Sequence, residues 1–438
     1  NTDRQYISVL RSALDNLPVQ FDALRLRLEG ALAGALTFAA QSGSEHQRML
    51  DLADAALAGA RETDDATVAA EVLSDICWTS WDPRDGEKRR EVARMFVDLA
   101  EESRDIGLLI EARIFRIATA LADGDMGLVH QDTDDCVNLG DQAGIPHYQA
   151  LAGLLKAMHA LLGGDLNGAE HHSKLALELG RAEQNPVIFE LYGAQVLLIR
   201  LCEGRVDKIR ASAEALAGAF PRMPAWKAGL GLILIELGRT EDARKQLELV
   251  ARDDFATVPE DLFWIVTLDH AAKVAARLGD RERCESLYEK LSPFAGEIVV
   301  AGAAVAVHGA IDRTLGLLAG VCGDHRRAVE HLRDALRINR GVGATAVNAY
   351  VTAELGEALA RIAPDEAETV ARRARWLAEE KGLHIGLRPE ARRYADPAHP
   401  RGAIGALKQG SVKRATQILR ARIDGKSDSW MQKWLVGT

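Results

Sequence analysis

Histidines and acids at helical spacing are the first residues in this sequence with types suited to chemistry. His130 and Asp134 stand four residues apart with Asp135 beside them, so a helix would set His130 and Asp134 on one face as metal ligands. Two ligands fall short of a site, and surface histidines are the simpler reading. His171 and His172 are adjacent, and on a helix their side chains diverge by about 100°. Gly425-Lys426-Ser427 matches the end of a phosphate-binding loop, yet Arg420 stands where that loop requires its first glycine. It reads as a solvated turn, and no ATP binding of the phosphate-loop kind is expected. No Gly-x-Ser-x-Gly elbow or His-Glu-x-x-His helix occurs. Glu101-Glu102 and Glu379-Glu380 read as solvated helix faces. Trp78 and Trp81 offer a stacking platform, or more simply hydrophobic packing near a helix end. No catalytic residue, metal or cofactor is expected.

The elements that carry these residues follow from composition. The chain has 438 residues, 47% apolar and only 5% aromatic, with Ala, Leu, Glu and Arg prominent. Strand formers seldom alternate with polar residues, so long helices with small contact residues are expected, with little or no β-sheet. A net charge of -10 argues against direct nucleic-acid binding, which needs phosphate-neutralising basic surface. The five cysteines, 77, 136, 202, 284 and 322, are widely spaced without a CxxC pair, which fits a reducing cytoplasm rather than a disulfide framework or zinc knuckle. The opening NTDRQYISVL has no basic segment followed by an apolar core, so no secretory signal is read, and its lack of an initiator Met reads as a fragment. Val299 to Gly320 is apolar enough to raise the question of a membrane span. His308, Asp312 and Arg313 within it would be costly in hydrocarbon, so it reads as a buried helix and no membrane partner is expected.

The strongest organising signal is a recurring glycine at breaks in the helical pattern: Gly124, Gly164, Gly204, Gly238, Gly279 and Gly323, at intervals of 40, 40, 34, 41 and 44 residues. Five residues after each stands Val129, Ala169, Ile209, Ala243, Cys284 or Ala328. The glycine lets the chain reverse between two helices, and the small or aliphatic residue lets the pair approach closely. One helix hairpin per period results. Two repeats fix the register. Leu230, Gly231, Leu234, Gly238, Ala243, Leu247 and Val250 share their offsets with Leu315, Gly316, Ala319, Gly323, Ala328, Leu332 and Ala335.

These positions resemble the tetratricopeptide signature, and Leu355-Gly356 opens a further copy. The resemblance implies an all-α, tetratricopeptide-like solenoid wound as a right-handed superhelix. Periods beyond 34 residues, and few prolines between repeats, imply longer helices and an altered pitch. About eight hairpins are expected between residues 47 and 382, preceded by one or two N-terminal helices. Residues 1–46 are read as N-terminal helices of the array and 47–382 as the repeats. Residues 383–438 form a separate basic segment broken by Pro389, Pro397 and Pro400, read as a helical cap or as the start of a truncated domain. From Gly382 onward there are 11 Lys or Arg against 4 Asp or Glu.

Three passages are also similar to the C-terminal helical region of large bacterial signal-transduction ATPases: Phe220 to Trp226, Leu237 to Arg244 continuing to Asp253-Asp254-Phe255, and Leu291 to Gly296. In that family a nucleotide-switched ATPase module carries a cyclase or helix-turn-helix output domain, and the repeat region is a sensor arm. The resemblance covers roughly residues 1–382. It implies a cytoplasmic sensor region of a bacterial signalling or transcriptional regulator, binding a protein segment or a small polar inducer. A free-standing enzyme or ligand-processing protein on a helical-repeat fold, and a structural assembly adaptor, are the alternatives. Self-association is left open.

The repeat register places the candidate binding surface. With Leu230, Leu315 and Leu355 turned to neighbouring helices, the other face of each first helix should line a concave groove. That groove would present Asp269, His270, Lys273, Arg277, Arg313, Thr314, Tyr350, Glu354 and Glu357, mixed charges suited to a polar ligand or charged peptide. Solvent exposure is expected for all of them.

Overall fold

The computed structural model describes residues 2–384 apart from positions 19, 38–42, 80 and 222. The proline-broken, basic part of the C-terminal segment, with Gly425-Lys426-Ser427, therefore lies outside the described residues. Helices α1 (Thr2–Asn16), α2 (Asp22–Thr37) and α3 (Gly43–Glu62) come first. Eight helix pairs follow. They are α4 (Ala66–Ile76) with α5 (Gly86–Ser103), α6 (Ile106–Asp123) with α7 (Met126–Ala143), α8 (Pro146–Gly163) with α9 (Leu166–Ala182), and α10 (Pro186–Glu203) with α11 (Arg210–Ala219). Then come α12 (Pro224–Glu236) with α13 (Thr240–Val250), α14 (Trp264–Leu278) with α15 (Arg281–Leu291), α16 (Ile311–Val321) with α17 (His325–Gly341), and α18 (Thr345–Leu359) with α19 (Pro364–Lys381). Consecutive helices pack on one another along the chain, except that α11 packs on α12 and the short 3-10 turn before it rather than on α10, so the fold is an all-α, repeat-like array of hairpins. No helix among the described residues is long and apolar enough to cross a membrane.

The periodic glycines are the turns. Gly124, Gly164, Gly204, Gly238, Gly279 and Gly323 all take left-handed backbone, with φ of 78°, 82°, 66°, 73°, 67° and 89°. Asp follows the glycine at 125, 165, 280 and 324, and each side chain accepts a backbone N–H of the first turn of the next helix. A left-handed helix stop joined directly to an aspartate N-cap makes these turns self-terminating. Arg205 takes the aspartate's place after Gly204; there a short 3-10 turn, Val206–Lys208, precedes α11, and Ile209 is only half-buried. The residues five positions after the other glycines are fully buried. Gly316 shows why the first helix of a pair also needs a glycine: a Cβ there would stand 2.7 Å from Leu332 Cγ.

Val299 to Gly320, expected as a buried helix, is a hairpin followed by a helix. Strand β1 (Ile298–Ala301) pairs antiparallel with β2 (Ala306–Ala310), and α16 begins at Ile311. Both faces of this hairpin are covered. Ile298, Val305 and Val307 join an apolar core that the early repeats share with α17 and α18, whereas Val299, Ala301 and Ala306 join a second core built mainly from α10 to α16. A strand buried on both faces loses alternation and reads as a continuous apolar run, which periodicity cannot tell from a buried helix. The turn at Gly302, Ala303 and Ala304 has positive φ throughout.

The hairpin sits inside the array. It packs against α6, α8 and α10 from the early repeats and α14, α16 and α17 from the later ones. Gln195 on α10 is fully buried and donates 2.8 Å hydrogen bonds to the Val305 carbonyl at the hairpin turn and to the Leu154 carbonyl. Ser173 Oγ donates to Gln195 Oε1 at 2.5 Å. Asn339 Oδ1 accepts the Ala310 N–H at 2.8 Å. Around this plug the array curls until distant repeats touch. Helix α8 packs on α18, Tyr350 Oη donates to the Leu201 carbonyl at 3.1 Å, and the His384 N–H donates to the Cys202 carbonyl at 2.6 Å. At the rim Arg84 pairs with Glu260, while the buried Arg89 lies 3.8 Å from Glu297.

Candidate functional site

Most of the residues assigned to a groove do converge, but they converge inside the protein. Asp269, His270 and, one turn on, Lys273 come from α14, Arg313 and Thr314 from α16, and Tyr350 and Glu354 from α18. Asp269, His270 and Thr314 are buried; Lys273, Arg313 and Glu354 keep side-chain exposures of only 12%, 14% and 12%. The expectation of solvent-facing side chains fails for these residues because α14, α16 and α18 pack on one another while the hairpin and α10 occupy the space in front of them. Tyr350 is half-buried. Arg277 and Glu357 do not join the cluster; Arg277 is 43% exposed and lies 3.6 Å from Glu236, and Glu357 is exposed.

Within the cluster the charges are paired. Lys273 Nζ donates to Asp269 Oδ2 at 2.6 Å, and Thr314 Oγ1 donates to Asp269 Oδ1 at 2.5 Å. Arg313 grips Glu354 with two bonds of 2.8 and 2.7 Å and lies 5.1 Å from the Tyr350 ring centroid. Such forked pairs are the strong form of carboxylate recognition. Burial would raise the Asp269 carboxyl, but Lys273, with His270 and His308, outweighs it and holds the group down at about 2. Burial works against the Arg313 charge, yet Glu354 more than offsets this and raises the guanidinium above its ordinary range.

The sequence reading missed His308. It lies on β2, in the stretch read as helix, and its Nδ1 stands 3.5 Å from His270 Nε2. Both rings are buried, with centroids 4.7 Å apart. Burial pushes His270 down to about 4 and His308 well below the ordinary imidazole range, so both are neutral near pH 7. Among the described residues His270 Nδ1 has no hydrogen-bond partner. Ligand atoms of Asp269, His270 and His308 all lie within 4.8 Å of one another, the one grouping of three metal-ligating side chains among the described residues. Only the hairpin's true path brings His308 here.

His130, Asp135, Trp78 and Trp81 all have partners elsewhere in the fold. His130 stacks on His159 at 4.8 Å, and His159 Nε2 lies 2.9 Å from Thr133 Oγ1. Asp135 pairs with Arg113 at 2.9 Å. Trp78 and Trp81 are buried, stacked at 5.9 Å and edge-on to Phe115, so they pack in the core.

No protein-family model matches the chain, and no curated protein matches it. What defines the molecule is therefore its own architecture: an all-α helical-repeat array, curled on itself, with a β-hairpin and a charge-paired polar cluster enclosed.

Proposed function

We propose that the chain is a regulatory binding scaffold, a sensor region that takes up a protein segment or small polar inducer and passes the bound state to a neighbouring output region. The observation that supports this reading is the seam between early and late repeats. In an ordinary solenoid each repeat meets only its neighbours. Here α8 packs on α18, Tyr350 of α18 reaches α10 across 149 positions, and elsewhere the exposed pair Arg84 and Glu260 links the α4–α5 and α13–α14 connections. Surface pairs of that kind contribute roughly 0–1 kcal/mol. One apolar core runs from the early repeats into α17 and α18 and holds the array closed, so a ligand that binds a more open form more tightly would shift the population by its differential affinity. The mixed charges behind the seam suit a polar ligand better than a lipid. The similarity of three passages to bacterial sensor arms supports the same reading.

The test is capture on the immobilised chain, with mass spectrometry of retained proteins and extracted metabolites, followed by small-angle scattering of the complex. A retained partner at one per chain that changes the radius of gyration is the expected outcome. A retained small molecule that is chemically converted would instead establish an enzyme. A partner bound without any change of shape would establish a static adaptor.

A further inference from the structure

We propose that Asp269, His270 and His308 form a binding site for a divalent transition ion of the zinc type, which ties the internal hairpin to α14. The geometry carries this. His270 Nε2 and His308 Nδ1 face each other at 3.5 Å, longer than a good N–H···N bond. Two nitrogens bound at ~2.0–2.1 Å to one tetrahedral ion stand about 3.3 Å apart, so the rings already hold the spacing of a ligand pair.

The third ligand is oriented in advance. Thr314 Oγ1 fixes the Asp269 carboxylate through Oδ1, the kind of outer hydrogen bond that aims a metal-binding carboxylate. The other oxygen, Oδ2, is held by the Lys273 ammonium at 2.6 Å. The lysine thus keeps a positive charge at the carboxylate, and an arriving ion displaces it. Two imidazoles with one carboxylate select zinc-like ions over magnesium or calcium, which prefer all-oxygen cages. His270 Nδ1 is buried without a partner among the described residues, and a Cβ at Gly229 would come within 3.9 Å of it. The site takes two adjacent ligands from α14 and one from β2, so occupancy would brace the hairpin against the later repeats. This inference stands apart from the scaffold reading, since a metal can brace the hairpin whatever the array binds.

The test uses the untagged full chain. After dialysis against Zn2+ and then metal-free buffer, elemental analysis should find one ion per chain, and Co2+ substitution should give the intense visible bands of a tetrahedral site. His308→Gln should weaken Zn2+ binding by more than the roughly 10–100-fold that loss of an outer-shell partner costs. Lys273→Met, which removes the competing cation, should tighten it about tenfold or more. Retention of no ion by both the native chain and Lys273→Met would overturn the proposal, as would unchanged affinity in His308→Gln. If His308→Gln does not fold, the cobalt spectrum of the native chain decides: weak octahedral bands reject the site, and tetrahedral bands support it.

Discussion

Arg313→Ala is expected to destabilise the chain by about 3–5 kcal/mol, the usual cost of removing one partner of a buried ion pair. The guanidinium supplies both hydrogen bonds to Glu354 and packs over Tyr350. Alanine leaves the Glu354 carboxylate enclosed without its counter-charge. Replacing both partners, Arg313→Met with Glu354→Leu, should recover most of the loss, since no orphaned charge is left. Arg277→Ala is the internal control: the side chain is 43% exposed, its nearest acid is 3.6 Å away, and a change within about 0.5 kcal/mol is expected. Urea unfolding of the four proteins reads these effects directly. An Arg313→Ala midpoint equal to that of the native chain would return Arg313 to solvent and restore the open groove.

Gly309→Ala should cost at least about 2 kcal/mol more than Gly238→Ala, although both glycines have left-handed backbone. The shared cost is the strain of an L side chain at positive φ, about 1–2 kcal/mol; φ is 86° at Gly309 and 73° at Gly238. The difference is space. At Gly238 an added Cβ meets nothing within 4 Å, whereas at Gly309 it would stand 2.7 Å from Val347 Cγ1 and 3.0 Å from Asn339 Oδ1. Asn339 is the side chain that accepts the Ala310 N–H, so displacement also strips a buried hydrogen bond. Paired denaturation curves settle it; equal losses at the two glycines would mean that β2 does not press against α17 and α18.

The contrast between these residues shows where the sequence is readable. Gly238 and its five counterparts punctuate the chain because a left-handed helix stop is a local requirement, and Ala243 or Ala328 follows because two helices of one hairpin must touch. Such rules act over a few residues, so the eight pairs from Ala66 to Lys381 could be expected. The hairpin and the seam could not. Val299 and Val307 are covered from opposite sides by repeats far apart in sequence, which erases the alternation that marks a strand. Tyr350 reaches the Leu201 carbonyl across 149 positions, a contact set by the accumulated curvature of several repeats. For the same reason the repeat register alone puts Asp269, His270, Arg313 and Glu354 in solvent, whereas the closed array encloses them. His308 was overlooked because its neighbourhood exists only once the hairpin folds inward.

Amide hydrogen exchange across residues 298–310 tests most directly whether the inside of the array is filled. The β1 and β2 amides should exchange in the slowest class of the chain, together with α6 and α14 against which they pack, because only opening of the whole array exposes them. Exchange of this segment within seconds, while α6 and α14 stay protected, would contradict the enclosed hairpin and leave an open concave surface in its place.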